Sequence, residues 1–240
     1  MFFTKVTAFL EKNSLPLFYL FLAAAIFIRV VEDLFLNRWG IHSGAVFPYR
    51  HPNYFPLYSN IFLIFEWSFL LAGAVLLLTS KRRWGALVAG LGMAMSITQM
   101  LQNQKILMLV VLLIVACVPP ENSEGSRWFL RWQIVLVYIF AALSKIFAEF
   151  STGMTLAKIS PVALTDSAYL VISWIVIAIE LLIPFFLLKK REWAWLAVVV
   201  LHGGFSLFMR DLAAFTLMMF ALTSLFYYSH KNASATASLE

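Results

Sequence analysis

Residues 168–188 read AYLVISWIVIAIELLIPFFLL, and this stretch decides the fold class. It is apolar almost throughout and lacks the alternation of a half-buried strand. About 20 such residues form a helix long enough to cross the ~30 Å hydrocarbon core of a bilayer. Lipid offers no hydrogen bonds to the backbone, so only helices and closed barrels can cross it. The stretch therefore predicts a transmembrane helix.

The rest of the chain has the same character. Of its 240 residues, 62% are hydrophobic and 12% are charged, whereas soluble domains are nearer half apolar and a quarter charged. We therefore predict an all-α, polytopic transmembrane helical bundle of about eight spans, with seven or nine as alternatives. The predicted spans are roughly 16–36, 57–79, 84–101, 104–120, 128–148, 168–188, 192–209 and 211–229.

The basic residues indicate the orientation. The net charge is +6, and its clusters, Lys81-Arg82-Arg83 and Lys189-Lys190-Arg191, lie between predicted spans. Such clusters are typical of cytoplasmic loops, so they predict topology and not nucleic-acid binding. The other Lys and Arg residues in loops and at span ends are also counted, with Lys105 on the outer side and Arg127 on the inner side. Basic residues are in excess on the inner side, so we expect both termini to be cytoplasmic.

The chain reads as one membrane domain with a short tail. We expect residues 1–231 to form the transmembrane domain, and residues 232–240 to be disordered and to end in a cloning scar. Two predicted outside loops, 37–56 and 149–167, are long enough to form caps over the bundle.

Several predicted spans contain ionisable residues, each of which costs ~2.5–3.5 kcal/mol near the bilayer centre. Arg29, Glu32 and Asp33 share one helix face by their spacing, which fits either a structural ion-pair network or part of a functional site. The predicted topology brings these residues, Glu66 and Lys145 to similar depth on the outer side, which predicts an outer-facing polar cavity. The ionisable residues within spans are Arg29, Glu32, Asp33, Glu66, Lys145, Glu180 and His202.

Lys145 and His202 each allow two interpretations. Lys145 lies about one turn from the outer end of its span, so snorkelling to the interface is the simpler one. A lysine that loses hydration is more easily deprotonated, however, and a neutral amine is a competent general base. His202 stands beside Gly203 and Gly204, which permit close approach of a helix or ligand. A lone histidine is more often a buried hydrogen-bonding group than a catalyst.

No metal or nucleotide motif is present in the sequence. The histidines at 42, 51, 202 and 230 lack the spacing of metal ligands, and Cys117 is the only cysteine. There is no P-loop, dinucleotide fingerprint or nucleophile elbow. We expect no metal cofactor.

Residues 133–153 read QIVLVYIFAALSKIFAEFSTG, which resembles the signature helix of the vitamin K-dependent γ-carboxylase superfamily, including its bacterial HTTM-domain relatives. Tyr138, Ala141, Lys145 and Gly153 fit the pattern of that helix, whereas Ala142 replaces its usual glycine and Phe150 its common tryptophan. Residues 180–228, which include Glu180 and His202, are similar to the late helices of the family. The approximate resemblance covers residues 16–229.

The resemblance implies a role for Lys145 as the base that starts oxygenation of a reduced, vitamin K-like quinone. One departure concerns the functional histidine of the carboxylase, whose expected position holds Gln104. Glutamine can donate a hydrogen bond to a developing oxyanion but cannot relay a proton. The sequence also lacks the large lumenal portion with which the carboxylase holds its protein substrates. We therefore expect related quinone chemistry in preference to full peptide carboxylation.

We therefore predict a bacterial cytoplasmic-membrane protein that binds a quinone-like or lipidic molecule, with lysine-initiated redox or carboxylation-type chemistry as its activity if it is an enzyme. The alternatives are a non-catalytic membrane subunit for maturation or export of a peptide or partner protein, and a DoxX-like quinone-linked subunit or transporter. Besides the bilayer, the expected partners are a hydrophobic small molecule and a partner protein or peptide, with no nucleic acid. The candidate catalytic residues are Lys145, Gln104 and His202, and the candidate ligand-binding residues are Arg29, Glu32, Asp33, Glu66, Tyr138 and Glu180.

Overall fold

The computed structural model describes residues 2–34, 60–99, 102–160, 162–208 and 212–228. Within these ranges the chain is helical and contains no strand, which confirms the all-α class. The predicted outer loop 37–56 and the predicted tail 232–240 lie outside the described residues. The helices are α1 (Phe2–Glu32), α2 (Asn60–Leu77), α3 (Arg82–Gln99), α4 (Asn103–Cys117), α5 (Glu124–Ile146), α6 (Met154–Ile159), α7 (Asp166–Lys189), α8 (Arg191–Phe208) and α9 (Ala213–Ser224), with 3-10 turns at Glu149–Thr152 and Leu225–Tyr227.

Three of the described helices are long and apolar enough to cross a membrane. They are α1 over Thr4–Glu32, α5 and α7. Three further apolar segments are shorter, at Phe62–Leu77, Asn103–Cys117 and Ala213–Tyr227. Each of the eight segments predicted as spans overlaps one helix, but only these three meet the length and composition of a crossing helix.

Helix α7 contains the stretch that decided the fold class, and its ends follow from local chemistry. Thr165 is the N-cap, and its hydroxyl accepts a hydrogen bond from Ala168 N. Asp166 stands in the first turn and Lys189 in the last, where each charge complements the helix dipole. Lys190 alone separates α7 from α8, so the two helices form a tight hairpin.

Helix α1 begins earlier than predicted, at Phe2 instead of near residue 16. The prediction followed the apolar run near Pro16. A helix can extend beyond such a run wherever the residues form backbone hydrogen bonds and have adequate helix propensity. The preceding residues include the good helix formers Ala8, Leu10 and Glu11. Pro16 lies inside the helix, where it removes one backbone donor.

The chain divides into two compact units. We call one the lysine unit; it contains Met1–Phe18, Arg131–Leu212 and Met219–Glu240. The other is the arginine unit, which contains Tyr19–Leu130 and Ala213–Met218.

In the arginine unit, α2 and α3 form a close helical hairpin. A Cβ at Gly73 would collide with the backbone of Ala89, so the absence of a side chain allows the two helix backbones to approach. Helix α4 packs on α3 and buries one stripe of its surface, namely Lys105, Met108, Val111, Leu112, Val115 and Ala116. The lysine in this otherwise apolar stripe belongs to a polar cluster described below.

In the lysine unit, the predicted loop 149–167 contains helical turns packed on α7. Gly153 has φ +83°, and its Cα lies close to the backbone of Leu170, so a larger residue would be strained there. Phe150 and Leu156 pack against Tyr169 and Ile177 of α7 in a buried apolar cluster. These contacts hold the segment that follows α5 against the first half of α7.

Candidate functional site

Lys145 is bound to Glu180. Its Nζ lies 2.7 Å from Oε1 and 2.9 Å from Oε2 of Glu180, with the two side chains 21% and 5% exposed. Lys145 stands in the last turn of α5, and Glu180 lies in the second half of α7. The lysine therefore has a carboxylate partner within the protein. Snorkelling to the interface would need no such partner.

Two phenylalanine rings border the Lys145 ammonium. Nζ lies 5.5 Å from the centroid of Phe150 and 5.9 Å from that of Phe205. Both distances are within the range of a cation–π contact, which grows stronger as water is excluded. The ammonium thus has an anionic partner and two aromatic neighbours.

A second polar pair joins α5 to α8. The Tyr138 hydroxyl and His202 Nε2 are 2.8 Å apart, and both residues are only 2% exposed. Tyr138 precedes Lys145 by two turns on α5, so the two side chains point to the same side of the helix. The Phe205 ring centroid lies 6.4 Å from that of His202, so Phe205 contacts both polar pairs.

This arrangement can transfer a proton without changing its net charge. Transfer from the Lys145 ammonium to the Glu180 carboxylate gives a neutral amine beside a carboxylic acid, and the overall charge remains zero. The amine could then accept a proton from an acidic group placed against it. Tyr138 and His202 add one further hydrogen-bonding pair, whose donor depends on the tautomer of the histidine.

A cavity of about 190 Å³ adjoins this site in the lysine unit. It lies between α7, α8 and the segment from Leu156 to Leu164, and Phe205 forms part of its wall. Its other lining side chains are almost all aliphatic. The cavity is therefore an apolar space that has Phe205 as a neighbour in common with Lys145.

The arginine unit holds a different polar cluster, centred on Arg29. Arg29 is 1% exposed, with Nη2 lying 3.2 Å from Glu32 Oε2 and Nε lying 3.7 Å from Asp33 Oδ1. Both Nη atoms also donate to Gln102 Oε1, at 3.2 and 3.1 Å. Lys105 Nζ lies 3.1 Å from Asp33 Oδ2, and Ser96 links the same two residues. We call these residues, with Gln104, the arginine cluster.

Glu32 also caps a helix. Its Oε1 accepts a hydrogen bond from Ala214 N at 3.0 Å, at the first residue of α9. The N-cap residue of that helix, Leu212, has no oxygen in its side chain with which to cap it. The carboxylate thus satisfies a backbone donor that would otherwise lack a helical partner, and its charge complements the helix dipole.

The candidate residues fall into two groups. The lysine unit brings together Lys145, Glu180, Tyr138 and His202, whereas Arg29, Glu32, Asp33, Glu66 and Gln104 belong to the arginine unit. Gln104 Oε1 accepts a hydrogen bond from Arg29 Nη1 at 3.5 Å, and Glu66 is buried on α2. Their predicted roles toward a ligand stay predictions.

Two basic residues that we counted as loop charges are buried. Lys105 is 3% exposed in the arginine cluster, and Arg127 is 3% exposed and donates to the Pro120 carbonyl. Both lie within helices, Lys105 in α4 and Arg127 in α5, so their assignment to loops was wrong. Asp33 inside a predicted span needs a cation, and this requirement could have identified Lys105. Phe150 and Phe205 were missed as neighbours of Lys145. Phe150 was noted only as a departure from the signature helix, and nothing in the sequence distinguishes Phe205 from the many other phenylalanines.

Among the residues that the structure describes, no group of three His, Cys, Asp or Glu side chains is placed to hold a metal ion. Comparison of the chain with protein-family models, with curated proteins and with solved structures found no match.

Proposed function

We propose that this chain is a multi-pass membrane protein of the HTTM and γ-carboxylase type that binds a quinone-like or lipidic molecule beside Lys145. The observation that carries the proposal is the Lys145–Glu180 pair, which is bordered by Phe150 and Phe205. Aromatic rings offer flat apolar surface, and the polar groups beside them can orient oxygen atoms of a ligand.

Stability alone does not explain the pair. A buried ion pair can often be replaced by apolar side chains of similar volume without loss of stability. Ionisable residues that face the interior of a helical membrane protein usually serve a function. Four polar side chains from three helices, namely Lys145, Glu180, Tyr138 and His202, come together here, which favours a site over an isolated ion pair.

The residues fit a reduced quinone, which would supply an acidic hydroxyl and reducing equivalents when bound. Phe150 and Phe205 would contact its ring, and Lys145 would hold the proton of its hydroxyl. Glu180 keeps the charge balanced in either protonation state of the lysine, because it can take the lysine's own proton. Tyr138 and His202 would orient a second oxygen. The chemistry that follows is what the resemblance implies, of redox or carboxylation type.

We also propose that the helices make eight crossings, with both termini in the cytoplasm. Each predicted span overlaps a helix, and three exposed tryptophans support helix ends at a membrane interface. Trp84, Trp128 and Trp193 lie near the first residues of α3, α5 and α8. The orientation rests on the basic clusters at Lys81–Arg83 and Lys189–Arg191. A Ser80→Cys variant lacking Cys117 should react with an impermeant thiol reagent only from the cytoplasmic side; labelling from outside would invert the topology.

The test of ligand binding is mass spectrometry of the organic extract from detergent-purified protein. We expect a stoichiometric quinone or isoprenoid from the wild type and its loss from Lys145→Ala. Lys158→Ala is the matched control, because Lys158 belongs to the same unit and pairs with Glu149 at 62% exposure. The control should retain the ligand. Only bulk phospholipid in all three samples would contradict the proposal and favour a subunit that acts on a partner protein.

A further inference from the structure

The apolar cavity beside Phe205 is elongated and open at the protein surface. Its α7 wall runs from Tyr169 to Ile179, ten residues of helix, or roughly 15 Å at the helical rise. Three of its lining residues are exposed: Leu164 at 39%, Ile175 at 51% and Val200 at 54%. A molecule could therefore enter it from the side, between α7 and α8.

The polar groups at the cavity are already occupied. The Tyr169 hydroxyl donates to the Val162 carbonyl at 2.6 Å and accepts from Leu164 N at 3.1 Å. The Ser160 hydroxyl donates to the same carbonyl at 2.7 Å and accepts from Val162 N at 3.2 Å. The remaining lining residues are apolar. An occupant therefore finds contacts for hydrocarbon and no polar group that needs a partner.

We propose that this cavity binds one acyl chain of a bilayer phospholipid, inserted laterally between α7 and α8. Helix α7 is long and apolar enough to span a membrane, so hydrocarbon is the medium at its exposed face. The volume of about 190 Å³ exceeds the ~150 Å³ of an apolar cavity known to bind benzene. The elongated shape and the saturated hydrogen bonds suit a chain and not a head group.

The acyl chain has a consequence for Lys145. Phe205 is shared between the cavity wall and the surroundings of the Lys145 ammonium. A chain that fills the cavity contacts this ring and keeps water out of the space next to it. The inference does not rest on the proposed quinone-like ligand, because it is argued from the cavity lining and not from Lys145.

Two neighbouring glycines provide a matched test. Gly204 lines the cavity and Gly203 does not, and a Cβ at either position would meet no atom within 4 Å. Gly204→Leu should fill the cavity. Gly203→Leu is the control, because it changes helix propensity by the same amount but leaves the cavity open. The purified full chain is reconstituted in phosphatidylcholine vesicles that carry a diazirine on one acyl chain, irradiated, and analysed by peptide mass spectrometry.

We expect Gly204→Leu to lose labelling of the buried lining residues Leu156 and Tyr169 several-fold, while Gly203→Leu keeps the wild-type level. Labelling of the exposed α2 residues Ile64 and Val75 provides the internal standard. Ile175→Trp, at the exposed mouth, repeats the test if Gly204→Leu does not fold. Equal labelling in the wild type and the filled variants would overturn the proposal. Displacement of the label by a small mole fraction of a prenylated quinone would also overturn it, by assigning the cavity to that quinone.

Discussion

The two units hold ionisable residues in contrasting ways. In the arginine cluster, Arg29 contacts two carboxylates and two glutamines, and Lys105 contacts both Asp33 and Ser96. In the lysine unit, Lys145 has one carboxylate partner and two aromatic neighbours, with 21% of its side chain exposed. The first arrangement uses its polar atoms for packing and capping, whereas the second leaves a simple ion pair beside an apolar space.

The comparison teaches that burial of a charge does not by itself indicate a functional site. Arg29 is more deeply buried than Lys145, but its contacts join α1 to the segment around Gln102, and its neighbour Glu32 caps α9. Such contacts explain the residues by the fold alone. The Lys145–Glu180 pair also joins two helices, α5 and α7, but it caps no helix end and it lies beside two aromatic rings, which is why the proposed function rests there.

The largest effect should come from breaking the arginine cluster. Arg29→Met removes the cation that lies 3.2 Å from Glu32 and 3.7 Å from Asp33, and loss of one partner from a buried ion pair costs about 3–5 kcal/mol of folding free energy. We expect a strongly reduced yield and a lower midpoint in detergent unfolding. Lys81→Met, at an exposed position, should change stability by less than about 0.5 kcal/mol. If Arg29→Met is as stable as this control, the arginine cluster does not stabilise the fold.

The next effect separates stability from ligand binding in the lysine unit. Lys145→Met or Glu180→Gln alone should cost about 2–3 kcal/mol, below the range for fully buried pairs because Lys145 is partly exposed. The double variant Lys145→Met, Glu180→Leu should recover most of that loss, since two apolar residues replace the pair. Unfolding midpoints and the organic extract are measured on the same samples. Recovery of stability together with loss of the ligand is expected; recovery of both would show that the pair is dispensable for binding.

A smaller effect is expected at the second polar pair. Tyr138→Phe removes the hydroxyl that contacts His202 and leaves the ring in place, at a cost of about 1 kcal/mol. His202→Phe should cost a similar amount, and the two changes should not add, because they remove one shared interaction. A double-mutant cycle in thermal unfolding measures this coupling. Additive losses would mean that the 2.8 Å contact contributes nothing to stability.

The smallest effect is expected at the surface. Glu149 and Lys158 form an ion pair with both side chains more than 60% exposed. Such pairs contribute about 0–1 kcal/mol, so Glu149→Gln should leave the unfolding midpoint nearly unchanged, and added salt should reduce any remaining difference because it screens the exposed pair. A loss as large as that of Glu180→Gln would mean that the segment 149–159 depends on this pair to stay packed on α7.

The sequence predicted the helices better than it predicted their contacts. The apolar run at 168–188 identified α7 because length and composition alone decide such a helix. The spacing of Arg29, Glu32 and Asp33 allowed an ion-pair network as one of two alternatives, and the structure contains the Arg29–Glu32 and Arg29–Asp33 pairs. These are local relations, which a periodicity of 3.6 residues is sufficient to reveal.

Contacts between distant residues could not be predicted in this way. Lys145 and Glu180 are 35 residues apart, and no spacing rule connects them. Lys105 was assigned to a loop because its charge was weighed only as a topology signal, although Asp33 within a span required a partner. The capping of α9 by Glu32 joins residues 182 positions apart, and it depends on packing that no local pattern encodes.

The order of synthesis gives the Lys145–Glu180 pair a further meaning. Lys145 precedes Glu180 by 35 residues in the chain. At a synthesis rate of about 5–20 residues per second, the ribosome adds Glu180 roughly two to seven seconds after Lys145. During that interval α5, the least hydrophobic of the three span-length helices, carries an unpartnered cation near its end. Because one residue joins α7 to α8, the two are made as a hairpin that carries the counter-charge. If α5 and α7 cross the bilayer as proposed, the ion pair makes the final placement of α5 an event that follows the translation of α7.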